Sequence, residues 1–341
     1  MGKFRLGRRA ALAGAGALLA APALVRAQTK SVTLGVGSAI IEYATAPLAP
    51  KLGFYASQGL SVQTQDFQAG GSKALQALVG GSVDVVIGSY DHTVTMQAQG
   101  KRVVGTVLLN NLPGVVFIAG KDVADRMHGP SDLKGLKGLK VGVTTLGSST
   151  DMFARYWAAR GGLAPRDVQV IAVGSGAPGM VALQNKAIDV LGCYDPIATL
   201  IVQRGLGQVL VDTRTPEGAQ TMFGGSYPFA CLYAMQPFLE RNADTVQRLV
   251  NAQLSTLRWI RDSSAEQIVD ALPASSRIDD RALNIQVVEA SKPLFSTTGL
   301  FGADTRIPLE VLRSFDDKVK AASIDLSATF TNRFVEASPG I

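Results

Sequence analysis

The sequence predicts an α/β fold of two lobes, each built on a parallel-rich sheet flanked by helices, and three observations support this prediction. The chain has 341 residues, which is enough for two compact units that each bury a core. Hydrophobic residues make up 47% of the chain, charged residues make up 18%, and 36 residues are glycine. This balance excludes a disordered chain or a coiled coil. The third observation is an internal repeat whose two copies lie about 105 residues apart.

The repeat consists of paired segments that occur in the same order in both halves of the chain. The segment ALVGGSVDVVIGSYD at 77–91 recurs as ALQNKAIDVLGCYD at 182–195. Each copy is preceded by two β-rich runs, the second of which leads into a glycine turn. These runs are VTLGVG at 32–37, VQTQDF at 62–67, VGVTT at 141–145 and VQVIAV at 168–173. Each half is therefore predicted as strand, helix, strand, glycine turn, helix, strand.

Strands rich in β-branched residues that alternate with helices are typical of parallel sheets covered on both faces. After the second copy, the chain continues through strand-like runs at 208–212 and 229–234. Helical stretches follow at 237–262 and 308–321, and the leading proline of each suits a first helical turn.

The C-terminal elements have no counterpart after the first copy, so the simplest topology returns them to the first lobe. We therefore expect a discontinuous first lobe of residues 28–118 and 226–341. Residues 119–225 form the second lobe in this interpretation.

Residues 1–27 have the pattern of an export signal. They contain five basic residues and no acidic one, followed by an apolar run of about 16 residues, which is too short to span a membrane. We expect cleavage after Ala27 and a periplasmic location. The pair Arg8-Arg9 resembles a twin-arginine signal, and export through the Sec or the Tat route stays open.

The charge balance argues against a nucleic-acid partner. The formal net charge of the chain is +6, but five of its 33 basic residues lie in the leader, which leaves 28 against 27 acidic residues. The remaining chain lacks a basic cluster interleaved with aromatic residues. Cys193 and Cys231 are the only cysteines, and the sequence permits either a disulfide or two buried thiols.

Ligands of open parallel sheets bind at the carboxyl ends of the strands, where helix N-termini present free N–H groups. The turns at this edge are predicted to face one another across a cleft, although a serine or threonine at a helix start can also be an ordinary cap. These turns are 38–43, 69–73, 89–92 and 110–111 in the first lobe and 146–151, 174–179 and 194–196 in the second. Asp84 and Asp189 lie at the opposite ends of their strands and are expected to be structural.

Catalytic and cofactor motifs are sparse. His92 and His128 are the only histidines, and the sequence has no G-x-S-x-G, no H-E-x-x-H and no paired cysteine spacing. The segment 174–179 matches G-x-G-x-x-G, but Pro178 lies inside it and the predicted export gives little access to NAD. We therefore expect a binding protein without catalytic residues, metal or cofactor. The residue types of a Ser-His-Asp catalytic set that includes His92 are present in the sequence. The simpler interpretation is that His92 is a polar residue lining the cleft.

Three stretches carry a resemblance to a known family. They are PLAPKLGFY with GLSV at 47–62, ALQAL with GGSVDV at 74–85, and DLKGLK with KVGV at 132–143. From about residue 32 to residue 238 the chain resembles periplasmic solute-binding proteins of the nitrate, sulfonate and taurine type. Their superfamily includes pyrimidine-precursor binding proteins of thiamine metabolism.

The resemblance implies a type II periplasmic binding fold with a hinge of two crossings. It also implies a function, which is to deliver a small organic solute to an ABC permease in the inner membrane. We expect a monomer. By matching position, the resemblance places ligand contacts at Ile40, Glu42, Tyr43, Gly71, Ser72, Ser89, Tyr90, Asp91, Asn110, Ser148, Ser149, Thr150, Tyr194, Asp195 and Tyr227.

The charges in these turns depart from a simple anion site. None of the turns contains an arginine, and Lys73 and Arg155 are the nearest cations. Four acids are present instead, namely Glu42, Asp91, Asp151 and Asp195. Fixed carboxylates would repel a bare anion, so an aromatic, heterocyclic or amino-bearing solute is favoured over nitrate. In the alternative interpretation, some of these acids pair with the nearby cations or helix N-termini.

Two other functions remain as alternatives. One is an enzyme of the same superfamily that makes the thiamine pyrimidine from its own side chains, although such enzymes are intracellular and use a cysteine-rich motif. The other is a sensor-type binding protein that contacts a membrane receptor.

Overall fold

The computed structural model describes residue 2 and residues 29–38, 40–68, 70–127 and 133–339. Apart from residue 2, the predicted leader lies outside the described residues, as do His128 and Ala69. None of the described helices is long and apolar enough to cross a membrane.

Ten strands form two five-stranded sheets. The first sheet contains β1 (Lys30–Val36), β2 (Leu60–Asp66), β3 (Val85–Ser89), β4 (Val103–Leu108) and β10 (Ala230–Met235). The second contains β5 (Val116–Gly120), β6 (Lys140–Val143), β7 (Gln169–Ala172), β8 (Val190–Cys193) and β9 (Gly207–Asp212). The strand orders are β2-β1-β3-β10-β4 and β7-β6-β8-β5-β9, so both sheets have the same topology, as the repeat predicts.

Each sheet contains one antiparallel strand. β10 runs antiparallel to β3 and β4, and β5 runs antiparallel to β8 and β9, while the other pairs are parallel. The predicted α/β fold with parallel-rich sheets is confirmed. β5 begins at Val116, slightly before the predicted start of the second lobe at residue 119, so that boundary falls inside a strand.

Sixteen helices flank the sheets in the described part of the chain. Those before β5 are α1 (Thr45–Lys51), α2 (Phe54–Ser57), α3 (Gly71–Val79) and α4 (Asp91–Ala98). Those between β5 and β10 are α5 (Lys121–Ala124), α6 (Ser149–Arg160), α7 (Ala177–Gln184), α8 (Ile197–Gln203) and α9 (Pro216–Phe223). Those after β10 are α10 (Gln236–Arg241), α11 (Ala243–Asp262), α12 (Ala265–Ala271), α13 (Arg281–Ser291), α14 (Arg306–Phe315), α15 (Asp317–Ala321) and α16 (Arg333–Glu336).

The two long C-terminal helices expected from the sequence are each divided by a polar residue. Asn242 separates α10 from α11, and its backbone and side-chain N–H groups both donate to the Phe238 carbonyl, at 2.9 and 3.1 Å. Asp316 separates α14 from α15, and its carboxylate accepts the N–H groups of Lys318 and Val319 at 2.8 and 3.2 Å. These local bonds compete with the uninterrupted helix, which the apolar period alone does not reveal.

Packing of the C-terminal helices joins the two halves. α11 lies against α1, α2 and β4, whereas α14 packs against α4 and also against α6 of the second half. The largest buried cluster includes residues of both sheets, and a smaller one lies beneath α7 and α8.

The acids at the far ends of the strands are structural, as predicted. The Asp84 carboxylate accepts the Thr33 N–H, and the Asp189 carboxylate accepts the Lys140 N–H, both at 2.8 Å. The equivalent acid of each copy therefore ties β3 to β1 and β8 to β6.

The two cysteines lie in different sheets. Cys193 ends β8 and Cys231 lies in β10, and both are buried free thiols. The disulfide that the sequence permits is not formed.

Candidate functional site

The carboxyl ends of the parallel strands face one another where the two halves meet, and the predicted contact residues gather there. Of these fifteen residues, all are buried except Gly71, which is half-buried. Glu42 and Tyr43 lie in a short 3-10 helix after β1, Asp91 starts α4 after β3, and Tyr194 and Asp195 follow β8. Strand ends from both sheets therefore build one buried region.

The two halves touch directly through hydroxyl groups. Ser72 Oγ and Thr145 Oγ1 share a hydrogen bond of 2.9 Å, and Ser38 Oγ donates to Ser175 Oγ at 3.0 Å. The glycine turn that carries Ser175 also reaches the carbonyl of Gln68 at 3.2 Å. The structure therefore has a closed cleft.

Glu42 is the most unusual residue of the cleft. Its side chain is fully buried, and neither carboxyl oxygen has a hydrogen-bond partner among the described residues. It lies against Gly114, whose Cα faces the carboxyl group at a positive φ of 73°. Burial raises the pKa of Glu42 well above its usual range. The nearby backbone N–H of Glu42 lowers it, Asp195 raises it further, and Arg214 lowers it. The neutral form of the carboxyl is therefore favoured at this position.

Asp91 is the second buried acid with unused acceptor capacity. Tyr227 Oη donates to Asp91 Oδ2 at 3.2 Å, while Oδ1 has no partner in the described part of the chain. Asp91 is the first residue of α4 and therefore lies beside the free N–H groups of the helix start.

The remaining two acids are paired. Asp195 Oδ2 accepts from Arg214 Nη1 at 2.8 Å, and the same guanidinium holds Asp212 through two bonds of 2.6 and 2.9 Å. Asp151 accepts from Arg155 Nε and from the Gly147 N–H, both at 2.7 Å. Asp151 and Asp195 therefore pair with cations of the protein, which is the alternative interpretation given above for the acids. Arg214 is an additional cation that was not identified from the sequence.

Aromatic rings line the same region. Tyr43 stacks on Phe229 at 6.2 Å with 7° between the planes, and Tyr194 lies 6.0 Å from the same ring. Burial raises the pKa of Tyr43 and of Tyr194, and Asp91 and Glu42 raise both further. Because the same two acids act on both phenols, the four side chains share one buried environment in which the hydroxyls stay protonated.

Several predicted residues mainly hold the site together. Ser148 and Thr150 share a hydrogen bond of 2.9 Å, and Thr150 Oγ1 also accepts the Thr144 N–H, so these hydroxyls act within the turn before α6. The Asn110 amide, oriented with its nitrogen toward Glu42, donates to the Glu42 carbonyl at 2.9 Å. These contacts fix the turns that carry the acids.

Tyr90 is placed apart from the buried acids. Its hydroxyl bonds to Thr329 Oγ1 at 2.6 Å, and its ring packs against Phe301 and Phe330 near the C-terminus. Ser89, the preceding residue, is fully buried, and its Oγ has no partner among the residues described.

His92 is also part of the cluster. It is buried, its Nδ1 lies 3.1 Å from Tyr233 Oη, and burial lowers its pKa while Asp91 raises it. The described residues contain no group of three or more His, Cys, Asp or Glu side chains that could hold a metal ion.

A cavity of about 530 Å³ opens from the rim toward this cluster. Ile40, Tyr194 and Asp195 line it together with the glycine turn 174–179 and residues 275–278. Its size is in the range of small-molecule sites. The cavity therefore connects three predicted contact residues to the surface.

Comparison with known proteins places these features in a family context. A model of the NMT1-like family matches residues 26–272. The putative binding protein YtlA of Bacillus subtilis strain 168 is 24% identical over 235 residues, which cover 68% of this chain and 66% of YtlA. The matched region thus spans slightly less than two thirds of that relative.

Solved structures share the fold. A protein of Bordetella bronchiseptica RB50 is 36% identical, with a TM-score of 0.84 over 90% of this chain and 96% of the other. The alkanesulfonate-binding protein SsuA of Xanthomonas axonopodis pv. citri, bound to MOPS, is 16% identical, with a TM-score of 0.71 over 90% and 99%. The nitrate-binding protein NrtA of Synechocystis PCC 6803 is 17% identical, with a TM-score of 0.66 over 90% and 88%. At these lower identities, the likeness to SsuA and NrtA concerns the fold alone.

The substitution Glu42→Gln should stabilise the ligand-free protein increasingly as the pH rises. A carboxyl whose pKa is raised by folding contributes least stability at high pH, because the unfolded chain releases its proton more readily. Each pH unit above the ordinary value costs up to about 1.4 kcal/mol, so the variant should gain about 1–3 kcal/mol at pH 7.5 and less at pH 5.

Urea unfolding of both proteins between pH 5 and pH 8 measures this difference. Glu289→Gln, on an exposed position of α13, is the matched control and should show no such trend. Asp195 and Arg214 are present in both proteins, so their influence largely cancels. A Glu42→Gln difference that is independent of pH would contradict the assignment of a raised Glu42 pKa.

The substitution Gly114→Ala should destabilise the protein more than Gly224→Ala. Both glycines have positive φ, 73° and 79°, which costs another residue about 1–2 kcal/mol. An added Cβ at Gly224 meets nothing within 4 Å, whereas one at Gly114 overlaps the Glu42 carboxyl. Urea midpoints should therefore show a larger loss for Gly114→Ala, part of which Glu42→Ala restores in the double variant. Equal losses at the two glycines would show that Glu42 does not pack on Gly114.

Proposed function

The chain belongs to the NMT1-like family, and from this membership and the buried cleft we propose that it is the extracytoplasmic solute-binding component of an ABC importer. It binds a small organic solute between its two halves and presents the closed form to the permease. The observation that carries this proposal is the burial of polar and aromatic side chains from both sheets at their facing strand ends.

The connections between the halves support a closing motion. The chain crosses between the sheets at 109–115 and again at 213–229. Two crossings at one edge, the second of which contains α9, are an arrangement in which domains can close by a hinge. The bonds from Ser72 to Thr145 and from Ser38 to Ser175 then form when the cleft closes.

The solute classes consistent with this site are sulfonates, taurine-like compounds, pyrimidine precursors and aromatic compounds. Relatives of this fold are named as binding alkanesulfonate or nitrate, which supports a small solute rather than a polymer. The fifteen residues assigned to the site from the sequence remain the proposed contacts, with Tyr90 as the exception because its ring points toward the C-terminal segment.

Location and partners follow from this role. The leader of residues 1–27 directs the protein to the periplasm by the Tat or the Sec route, and the mature protein works as a monomer with an inner-membrane permease. It acts without a cofactor and without catalysing a reaction. An enzyme of this superfamily that relies on a cysteine motif is disfavoured here, because Cys193 and Cys231 are buried in strands of different sheets.

A thermal-shift screen tests the proposed function. A solute at a hundredfold excess over its Kd stabilises the folded protein by about 2.7 kcal/mol, which raises the melting temperature measurably. We expect a hit among sulfonates, nitrate, pyrimidines, aromatic acids and small amines, and a smaller radius of gyration in X-ray scattering with that solute. If nucleotides or proteins raise the transition and no small solute does, the receptor assignment is wrong.

A further inference from the structure

We propose that the solute carries a cationic nitrogen, as an ammonium or amidinium group, which binds between the carboxyl groups of Glu42 and Asp91 beside Tyr43 and Tyr194. This inference rests on the proposed function and narrows its substrate class. The solute is then an organic cation or an amino-bearing compound rather than a simple anion.

The first step of the argument is the unused acceptor capacity of the cleft. Both oxygens of Glu42, one oxygen of Asp91 and the Ser89 hydroxyl are buried, and none of the described residues bonds to these four atoms. A buried polar atom without a partner costs free energy, and a buried carboxylate costs more. An ammonium or amidinium group supplies several N–H donors and no acceptor, which matches such a set.

The second step is the contrast with the other acids. Arg214 forms ion pairs with both Asp195 and Asp212, and Arg155 forms one with Asp151, through bonds of 2.6 to 2.9 Å. Each of these three acids thus has an arginine partner, whereas within the described residues neither Glu42 nor Asp91 forms an ion pair. The positive charge that completes the site has to come from the solute.

The third step concerns the rings around the two acids. Tyr43 directly follows Glu42 in a short 3-10 helix, and Tyr43 and Tyr194 both flank Phe229. Glu42 and Asp91 both raise the pKa of these two phenols. A cation near aromatic faces gains attraction that grows when water is excluded, and this cluster is buried. Tyr227 holds Asp91 from the side through its hydroxyl and fixes the carboxylate direction.

The same groups disfavour an anion. A sulfonate or nitrate in this position would meet two carboxyl groups, and the nearest cation, Arg214, already binds two aspartates. A zwitterion such as taurine has to place its anionic end elsewhere, toward the open cavity lined by Ser38, Ile40 and the glycine turn 174–179.

The test uses matched probes that differ in charge. The full mature chain is titrated by calorimetry with benzylamine, benzamidine and ethylenediamine, and with benzyl alcohol, benzenesulfonate, ethanesulfonate and nitrate. Taurine is included to compare a zwitterion with ethanesulfonate. We expect binding from the cationic set and none from the neutral and anionic sets.

Substitutions of the two acids test whether Glu42 and Asp91 contact the solute. Glu42→Gln and Asp91→Asn should each weaken binding of the cationic probes by at least tenfold, whereas the exposed control Glu289→Gln should not. Urea unfolding checks that each variant is folded, and Glu42→Gln is expected to be at least as stable as the parent at pH 7.5. A loss of affinity in that variant is therefore a loss of the contact.

Two outcomes separate this inference from the proposed function. If sulfonates or nitrate bind, the cationic probes do not, and the affinity is unchanged by Glu42→Gln and Asp91→Asn, the protein is still a solute receptor and the cationic class is wrong. If no solute of either charge binds and the thermal-shift screen also finds no small solute, the receptor function itself is contradicted.

Discussion

The exchange of one antiparallel strand between the two sheets is the constraint on which the rest of the structure depends. β5 enters the second sheet between β8 and β9, and β10 returns to the first sheet between β3 and β4. Because these strands run against their neighbours, both crossings lie at the edge where the parallel strands end. The two crossings and the proposed contact residues therefore occupy the same edge. Asn110 and Tyr227 belong to both, and Gly114 and Arg214 lie on the crossings beside them.

This coincidence couples cleft closure to the electrostatics of the site. The Glu42 carboxyl lies against Gly114 of the first crossing, and its pKa responds to Arg214 of the second. Tyr227, also on the second crossing, holds Asp91 of the first half. In the proposed closing motion, opening of the cleft would change the neighbours of both acids, so that binding of a solute cation and closure of the halves would favour each other.

The sequence predicts the fold well because the patterns that indicate strands, helices and turns are local and occur twice in the chain. Paired β-rich runs and glycine turns predict the order of strands and helices in each half, and the position of Asp84 and Asp189 before equivalent strands predicts their structural role. The strand order of the sheets and their antiparallel strands are not predicted by these patterns. Whether each of the other acids has a partner depends on contacts between segments that are far apart in the sequence. β5 lies between β8 and β9 in the sheet, and Arg214 meets Asp195 only because the segments that follow β8 and β9 converge at the same edge. Tyr90 turns away only because Phe301, Phe330 and Thr329 return from the C-terminus to pack against it. No spacing in the sequence encodes these contacts.

The acids of this chain separate into groups by what the protein itself provides. Asp84 and Asp189 bind backbone N–H groups, and Asp151 and Asp195 bind arginines, so folding alone satisfies all four. Glu42 is as deeply buried as any of them, yet nothing in the described chain satisfies it. If the Glu42 carboxyl had only a structural role, it would lower the stability of the fold. An uncharged residue of similar size would pack equally well at this position. Buried polar groups are left without partners mainly at functional sites. Here three of the unpartnered atoms are carboxyl oxygens of Glu42 and Asp91, which is the arrangement that a hydrogen-bond donor on a solute would complete.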